Sequence, residues 1–255
     1  MRKLSLSSVL LALIAGLAFA STPVWIAKPY QQWDQKDLQE ILEHSPWIKT
    51  TTIIASWGRS SMEEENPNPS EGQRPQGQPR LPGSSDNPAG QAPQGNMGQQ
   101  PEGSMEQNVT YIVRWNSAQT IREAMAREAL LQGKATEAQV AQYVDKQPPT
   151  YDIWVYGRDM TPFTKETDAS LQSKTFLQIK PSKERVSPAK VEILKTPDGK
   201  GITGVLFSFP KQDANGKAVL APHAKQAHFQ CKTKLANVSV NFDLRKMVGK
   251  SGQEL

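Results

Sequence analysis

A single cysteine, Cys231, stands in 255 residues. No disulfide can form within the chain, so the fold must rest on an ordinary apolar core. Histidine is scarce as well: there are three, His44, His223 and His228. Their spacing with Cys231 matches no zinc pattern. Beyond the first twenty residues no apolar run reaches the roughly 20 residues that a spanning helix needs. No serine lies in a Gly-x-Ser-x-Gly context, which removes the nucleophile elbow of the α/β-hydrolases. Gly249-Lys250-Ser251 has the look of a phosphate-loop ending, but the first glycine of that motif would fall on Leu244, and the match fails. Residues 58–107 have no aromatic, valine or isoleucine at all.

What is present begins with the leader. Arg2 and Lys3 precede an apolar run from Leu4 to Leu17, broken by Ser5, Ser7, Ser8 and Gly16. Ala18-Phe19-Ala20 then puts small residues at the two positions a signal peptidase reads. This is the three-part pattern of a secretory signal peptide over residues 1–20. Pro23 ends any helix just beyond it, which favours cleavage over anchoring. The leader has no cysteine, so a lipid-anchored form is excluded. The expectation is an exported protein, periplasmic or extracellular. It has no transmembrane segment after cleavage and no nucleic-acid partner.

Residues 21–57 predict a short helix–strand unit. Asp34 and Asp37 have the spacing of a helix cap, and Trp33 with Leu38 that of a hydrophobic staple. Leu38, Ile41 and Leu42 form its stripe, and Ser45-Pro46 stops it. Trp47 to Trp57 reads as a strand with Trp47, Ile53, Ala55 and Trp57 on one face. Residues 58–107 hold eight prolines and eight glycines among Gln and Asn. Such a segment buries too little apolar surface to offset its ordering entropy, and is predicted to be disordered. Its length fits both a tether between two units and an insertion between two strands of one sheet.

Residues 108–255 predict an α+β domain. Tyr111, Val113 and Trp115 alternate as a half-buried strand. Ser117 is placed to cap a helix running to about Gln132, with Ile121, Met125 and Leu131 toward the core and Gly133 at its C-terminal turn. Thr136 with Gln139 makes a capping box for a second helix, striped by Val140, Tyr143 and Val144. Tyr151 to Tyr156 is apolar on both faces, as a central strand is. The remainder reads as β: Thr175–Lys180, then Ala189–Lys195 and Ile202–Phe209 around the turn Pro197-Asp198-Gly199. A hairpin follows, with Ala227, Phe229 and Cys231 facing Val238, Val240 and Phe242. The tail after Val248 is polar and is predicted to fray.

Candidate chemistry is thin. Cys231 and His228 lie an odd number of residues apart on one strand, hence on opposite faces. This argues for a buried inert thiol rather than a nucleophile. The histidines suit surface roles, His44 at a helix end where a cation complements the dipole. Trp25, Tyr30, Trp33, Trp47 and Trp57 have the choice of lining a groove or forming a core, and core is favoured. No carboxylate pair is singled out. Asn108 and Asn237 fit the glycosylation pattern. No catalytic, cofactor-binding or metal-binding residue is assigned, and no cofactor is expected. Charge, however, is lopsided. Residues 21–164 carry 12 Lys/Arg against 17 Asp/Glu, whereas residues 165–255 carry 16 against 8. A basic C-terminal part suits either a solvated lysine-studded sheet or an anionic partner.

Lys28-Pro29-Tyr30, Trp33, Ile41-Leu42 and Ser45-Pro46-Trp47, with Tyr111–Trp115 and Phe242–Val248, resemble segments of uncharacterised exported proteins of acidobacteria. That resemblance implies fold and export and carries no assigned activity. The reading is therefore mainly antiparallel sheet with an inserted helical hairpin, plus the N-terminal unit and the disordered linker. The expected role is non-enzymatic binding or scaffolding in the envelope, with an unidentified protein or an envelope polymer as partner. The alternatives are an anionic-polymer or glycan-binding module, or a hydrolase whose acids meet only in the fold. Limited proteolysis should nick within 58–107 and leave a stable fragment starting near residue 108; a chain protected there would contradict the predicted disorder.

Overall fold

The computed structural model of the protein describes residues 22–55, 107–181, 183–221 and 224–255. The leader 1–20, Trp57, His223 and all of the Pro/Gly/Gln-rich stretch except Gln107 lie outside the described residues. Among the described residues no helix is long and apolar enough to cross a membrane.

The chain opens with α1 (Val24–Ala27), a 3-10 turn (Tyr30–Gln32) and α2 (Gln35–Gln39), which widens into a π turn (Glu40–His44). Strands β1 (Ile48–Ala55) and β2 (Gln107–Trp115) follow, then α3 (Gln119–Leu131), α4 (Glu137–Asp145) and β3 (Thr150–Gly157). A second 3-10 turn and α5 (Asp168–Lys174) lead to β4 (Thr175–Lys180), β5 (Glu184–Val186), β6 (Lys190–Lys195) and β7 (Ile202–Pro210). The chain finishes with β8 (Gln226–Lys232), β9 (Asn237–Asp243), β10 (Val248–Gly249) and β11 (Gly252–Gln253). Two antiparallel sheets carry the fold, ordered β1-β2-β3-β7-β6 and β5-β4-β8-β9. The class is α+β, with the helical hairpin α3–α4 inserted between the neighbours β2 and β3.

The two sheets meet through their alternating apolar faces. Trp115 packs edge-on against Phe242 at 5.2 Å between ring centroids, and Phe207 against Phe229 at 5.4 Å. The central position expected for Tyr151–Tyr156 is observed: β3 has β2 on one side and β7 on the other. Its inner residues Tyr151, Ile153 and Val155 are buried, and Trp154 and Tyr156 are half-buried on the outer face. β1 pairs with β2 from Ile48↔Arg114 to Ala55↔Gln107. The stretch between them therefore joins two neighbouring strands of one sheet, which selects the insertion of the two arrangements its length fitted.

Local signals in the N-terminal part are obeyed. Asp37 donates its backbone N–H to Asp34 Oδ1 at 2.9 Å, and Asp34 returns its own to Asp37 Oδ2 at 3.2 Å. Trp33 and Leu38, the staple, are both buried, as is Ile41. Thr136 and Gln139 form the second capping box, and Gly133 adopts φ +68° at the end of α3.

Three expectations are corrected. Ser117 does not cap α3: the N-cap is Ala118, with no side-chain cap, and the Ser117 hydroxyl is buried without a partner. The acceptor comes from the far end of the chain, where Glu254 Oε2 takes the Thr120 N–H at 2.7 Å. The stripes also shift. Leu131 and Tyr143 are exposed, whereas Arg122 is buried, because its guanidinium donates to the main-chain carbonyls of Tyr143 and Val144 and closes the C-terminus of α4. Third, the tail does not fray. β10 pairs with β11, Trp25 Nε1 donates to Val248 O at 3.2 Å, and Trp47 Nε1 donates to Glu254 O at 2.9 Å. Gly249 makes room for this arrangement, since a Cβ there would sit 1.7 Å from Glu254 Oε1. Gly249 thus ends β10 and Lys250-Ser251 form the bend to β11, not a phosphate loop.

Burial pushes the Glu254 carboxyl above its usual range, and the donors of Thr120 offset only part of that. Glu123 is raised likewise, by burial first and then by Glu254. A carboxyl raised in the folded state binds its proton more tightly there, so stability falls as pH rises past the unfolded value of about 4.3. Glu254→Gln keeps an acceptor for Thr120 and removes one titration. Urea denaturation across pH should give a shallower fall in stability above that value for this variant than for the wild type. Glu254→Ala should be less stable than Glu254→Gln by about 1 kcal/mol; equal stability would refute the cap.

Candidate functional site

Alternation along β4, β8 and β9 sends one set of side chains inward and the other to solvent. Leu177, Phe229, Cys231, Val238 and Phe242 are buried against the first sheet. The opposite set forms a flat polar face. Its rows follow from the register: Arg185, Gln178, His228 and Asn241 in one, and Phe176, Gln230 and Ser239 in the next. Lys180 and Gln226 lie in a third row that ends at Asp243.

The centre of this face is ordered by its own contacts. The Arg185 guanidinium carbon lies 4.3 Å from the centroid of the Phe176 ring, a cation–π distance. Phe176 meets the His228 ring edge-on at 6.2 Å, and His228 Nε2 is 2.7 Å from Ser239 Oγ. Gln230 donates to Asn237 Oδ1 at 2.8 Å, and Gln178 to Lys183 O at 3.2 Å. Partial burial, then the nearby cations Lys180 and Arg185, hold the His228 imidazole below its ordinary pKa. At neutral pH it is an uncharged hydrogen-bonding ring near two cations. Asp243, the carboxylate at the edge of the face, is gripped by Arg245 through two contacts of 2.9 Å. The surface is therefore two planar rings, Phe176 and His228, several amides, the Ser239 hydroxyl, and the cations Arg185 and Lys180, which have no ion pair among the described residues. Such a set hydrogen-bonds hydroxyls, stacks against an apolar ring face and attracts acid groups.

The other candidates resolve as follows. Cys231 is completely buried on the inner face, and burial pushes its thiol up to about 12. With His228 pointing the other way, the two form no dyad. His44 is exposed beside Glu43 at 3.8 Å. No group of three His, Cys, Asp or Glu among the described residues is placed to hold a metal ion. Trp25, Trp33 and Trp47 are core residues, and Tyr30 packs on Trp33 at 6.4 Å. Glu166 is the best-satisfied acid. Burial opposes its ionisation, but Ser170, Lys174 at 2.9 Å and the Lys234 N–H outweigh that and hold its pKa low. It ties α5 to the β8–β9 turn. Asn108 and Asn237 are exposed.

The outward half of the β8–β9 hairpin was readable from its alternation. Arg185 was missed because it sits on a three-residue strand, too short to leave a periodic signal. Phe176 was missed because an aromatic in a strand is assigned to the core unless the register says otherwise. No family model, curated protein or solved structure matches the chain.

By NMR titration, His228 should have a midpoint below about 6.5, and Arg185→Ala should move it upward by removing a neighbouring cation. A midpoint insensitive to Arg185 would mean that the two side chains do not share this face.

Proposed function

We propose that the chain is an exported, non-enzymatic envelope protein that binds an anionic polymer, a glycan carrying acid groups, on the outer face of β5-β4-β8-β9. The observation that carries this reading is the Phe176–Arg185–His228–Ser239 cluster set in a lattice of amides. Export rests on the leader pattern of residues 1–20 and on the resemblance to exported acidobacterial proteins. The basic balance of residues 165–255, 16 Lys/Arg against 8 Asp/Glu, supports an acidic ligand. A binding role rather than a hydrolytic one is supported by the perturbed acids. Glu123, Glu166 and Glu254 are each engaged by helix-start or turn donors.

The mature protein should be retained on immobilised polygalacturonate at low salt and released as ionic strength passes roughly 0.15 M, where the screening length is about 8 Å. Dextran, neutral and hydroxyl-rich, should retain it weakly. Phe176→Ala should weaken binding roughly fivefold, a loss of about 1 kcal/mol. Arg185→Ala should weaken it and reduce the salt dependence. Retention unchanged in both variants would overturn the assignment of this face.

A further inference from the structure

The outer face of the first sheet holds a charge with no ion-pair partner among the described residues. Arg114 lies on β2, 7% exposed. Its Nε donates to Asn116 Oδ1 at 2.7 Å. Its two terminal nitrogens meet no acceptor among the described residues, yet neither is sealed from water. No carboxylate among the described residues lies within ion-pair distance; Glu128 is felt only through space. Burying a guanidinium without an anion is costly, and the surroundings offset it with π faces instead. The Arg114 guanidinium carbon is 4.6 Å from the Trp154 centroid and 5.7 Å from that of Tyr156.

The platform beneath it is rigid. Trp154 and Tyr156 stack at 4.2 Å with 24° between planes. Trp154 lies flat across β7 because residue 204 is glycine: a Cβ there would be 2.2 Å from the indole nitrogen. Register places Arg114 opposite Trp154 and Ile112 opposite Tyr156. Ile112 and Tyr156, the cross-strand pair next to Arg114 and Trp154, line one end of a groove of about 910 Å³ that runs past Val109 and Thr110 to Arg158 and Asp159. That volume suits a small organic ligand. An arginine held by a hydrogen bond at Nε and stacked on rings presents its remaining fork in one orientation, the geometry that takes an oxyanion in two parallel bonds.

We infer that Arg114 is a receptor for the carboxylate or phosphate of a small organic anion whose flat or apolar body lies over Tyr156 and Ile112 in this groove. This site is on the other sheet from the polymer-binding face, and the two stand or fall separately.

The test uses the full mature chain and three probes that share one ring system: naphthoate, naphthyl phosphate and naphthylmethanol. Calorimetry should show saturable binding of at least one anion, with the neutral alcohol roughly tenfold or more weaker. The tighter of the two anions identifies the headgroup. Arg114→Lys should lose roughly tenfold or more, because an ammonium cannot reproduce the fork. In isotope-labelled wild-type protein the Trp154 indole N–H resonance, assigned with Trp154→Phe, should shift during the same titration. This readout does not depend on a variant folding. No saturable binding of either anion, binding indifferent to Arg114→Lys, or a Trp154 resonance that stays still would each overturn the proposal.

Discussion

The hydrogen bonds from two N-terminal indoles to the main chain of the final residues hold the molecule closed. Trp25 reaches Val248 across 223 positions of sequence, and Trp47 reaches Glu254 across 207. Each indole is buried, so each N–H would cost free energy without an acceptor, and the acceptors exist only once the chain end is seated. The same end supplies the cap of α3 through Glu254. Removing it would orphan three donors at once. A chain end usually frays because nothing binds its main chain; here two buried tryptophans of the N-terminal part, Trp25 and Trp47, bind it. These are contacts of very long sequence separation, which place the final closure late and make it slow relative to local helix formation.

Signals whose two halves lie close in sequence were legible. The Asp34–Asp37 and Thr136–Gln139 boxes need only four residues each to be recognised. Alternation in β8 and β9 named both the buried and the solvent-facing sets. What failed involved partners far apart. Ser117 has the right side chain to cap α3, but a carboxylate from the chain terminus occupies that role, and no local pattern announces it. Arg122 reads as a surface residue of an amphipathic helix until the carbonyls of Tyr143 and Val144 are brought to it. Leu131 reads as core until the helix proves to end before its turn is covered.

The same division governs the candidate surfaces. Gln226, His228 and Gln230 were visible as outward residues, yet nothing in them marks a site. The site character comes from Arg185 crossing a strand boundary to cover Phe176. Arg114 reads as an ordinary polar position of a half-buried strand. Its significance lies in having no carboxylate at ion-pair distance among the described residues, and in the two rings one strand over. The two sheets thus carry different chemistries: an amide-rich plane on one, and on the other a nearly buried arginine on an aromatic step.

β1 and β2 are neighbours in register, although some fifty positions of sequence separate them. The entropic cost of closing a connection grows only with the logarithm of its length, about 0.6 kcal/mol per doubling. The sheet is therefore nearly indifferent to how much chain is strung between these two strands. That makes the β1–β2 junction a port: a guest domain could be carried there without disturbing the ladder. It also makes the protein divisible. A fragment ending after Ala55 and another starting at Gln107 carry complementary strands and complementary indole–carbonyl contacts, so the two halves have what they need to recognise each other as separate molecules.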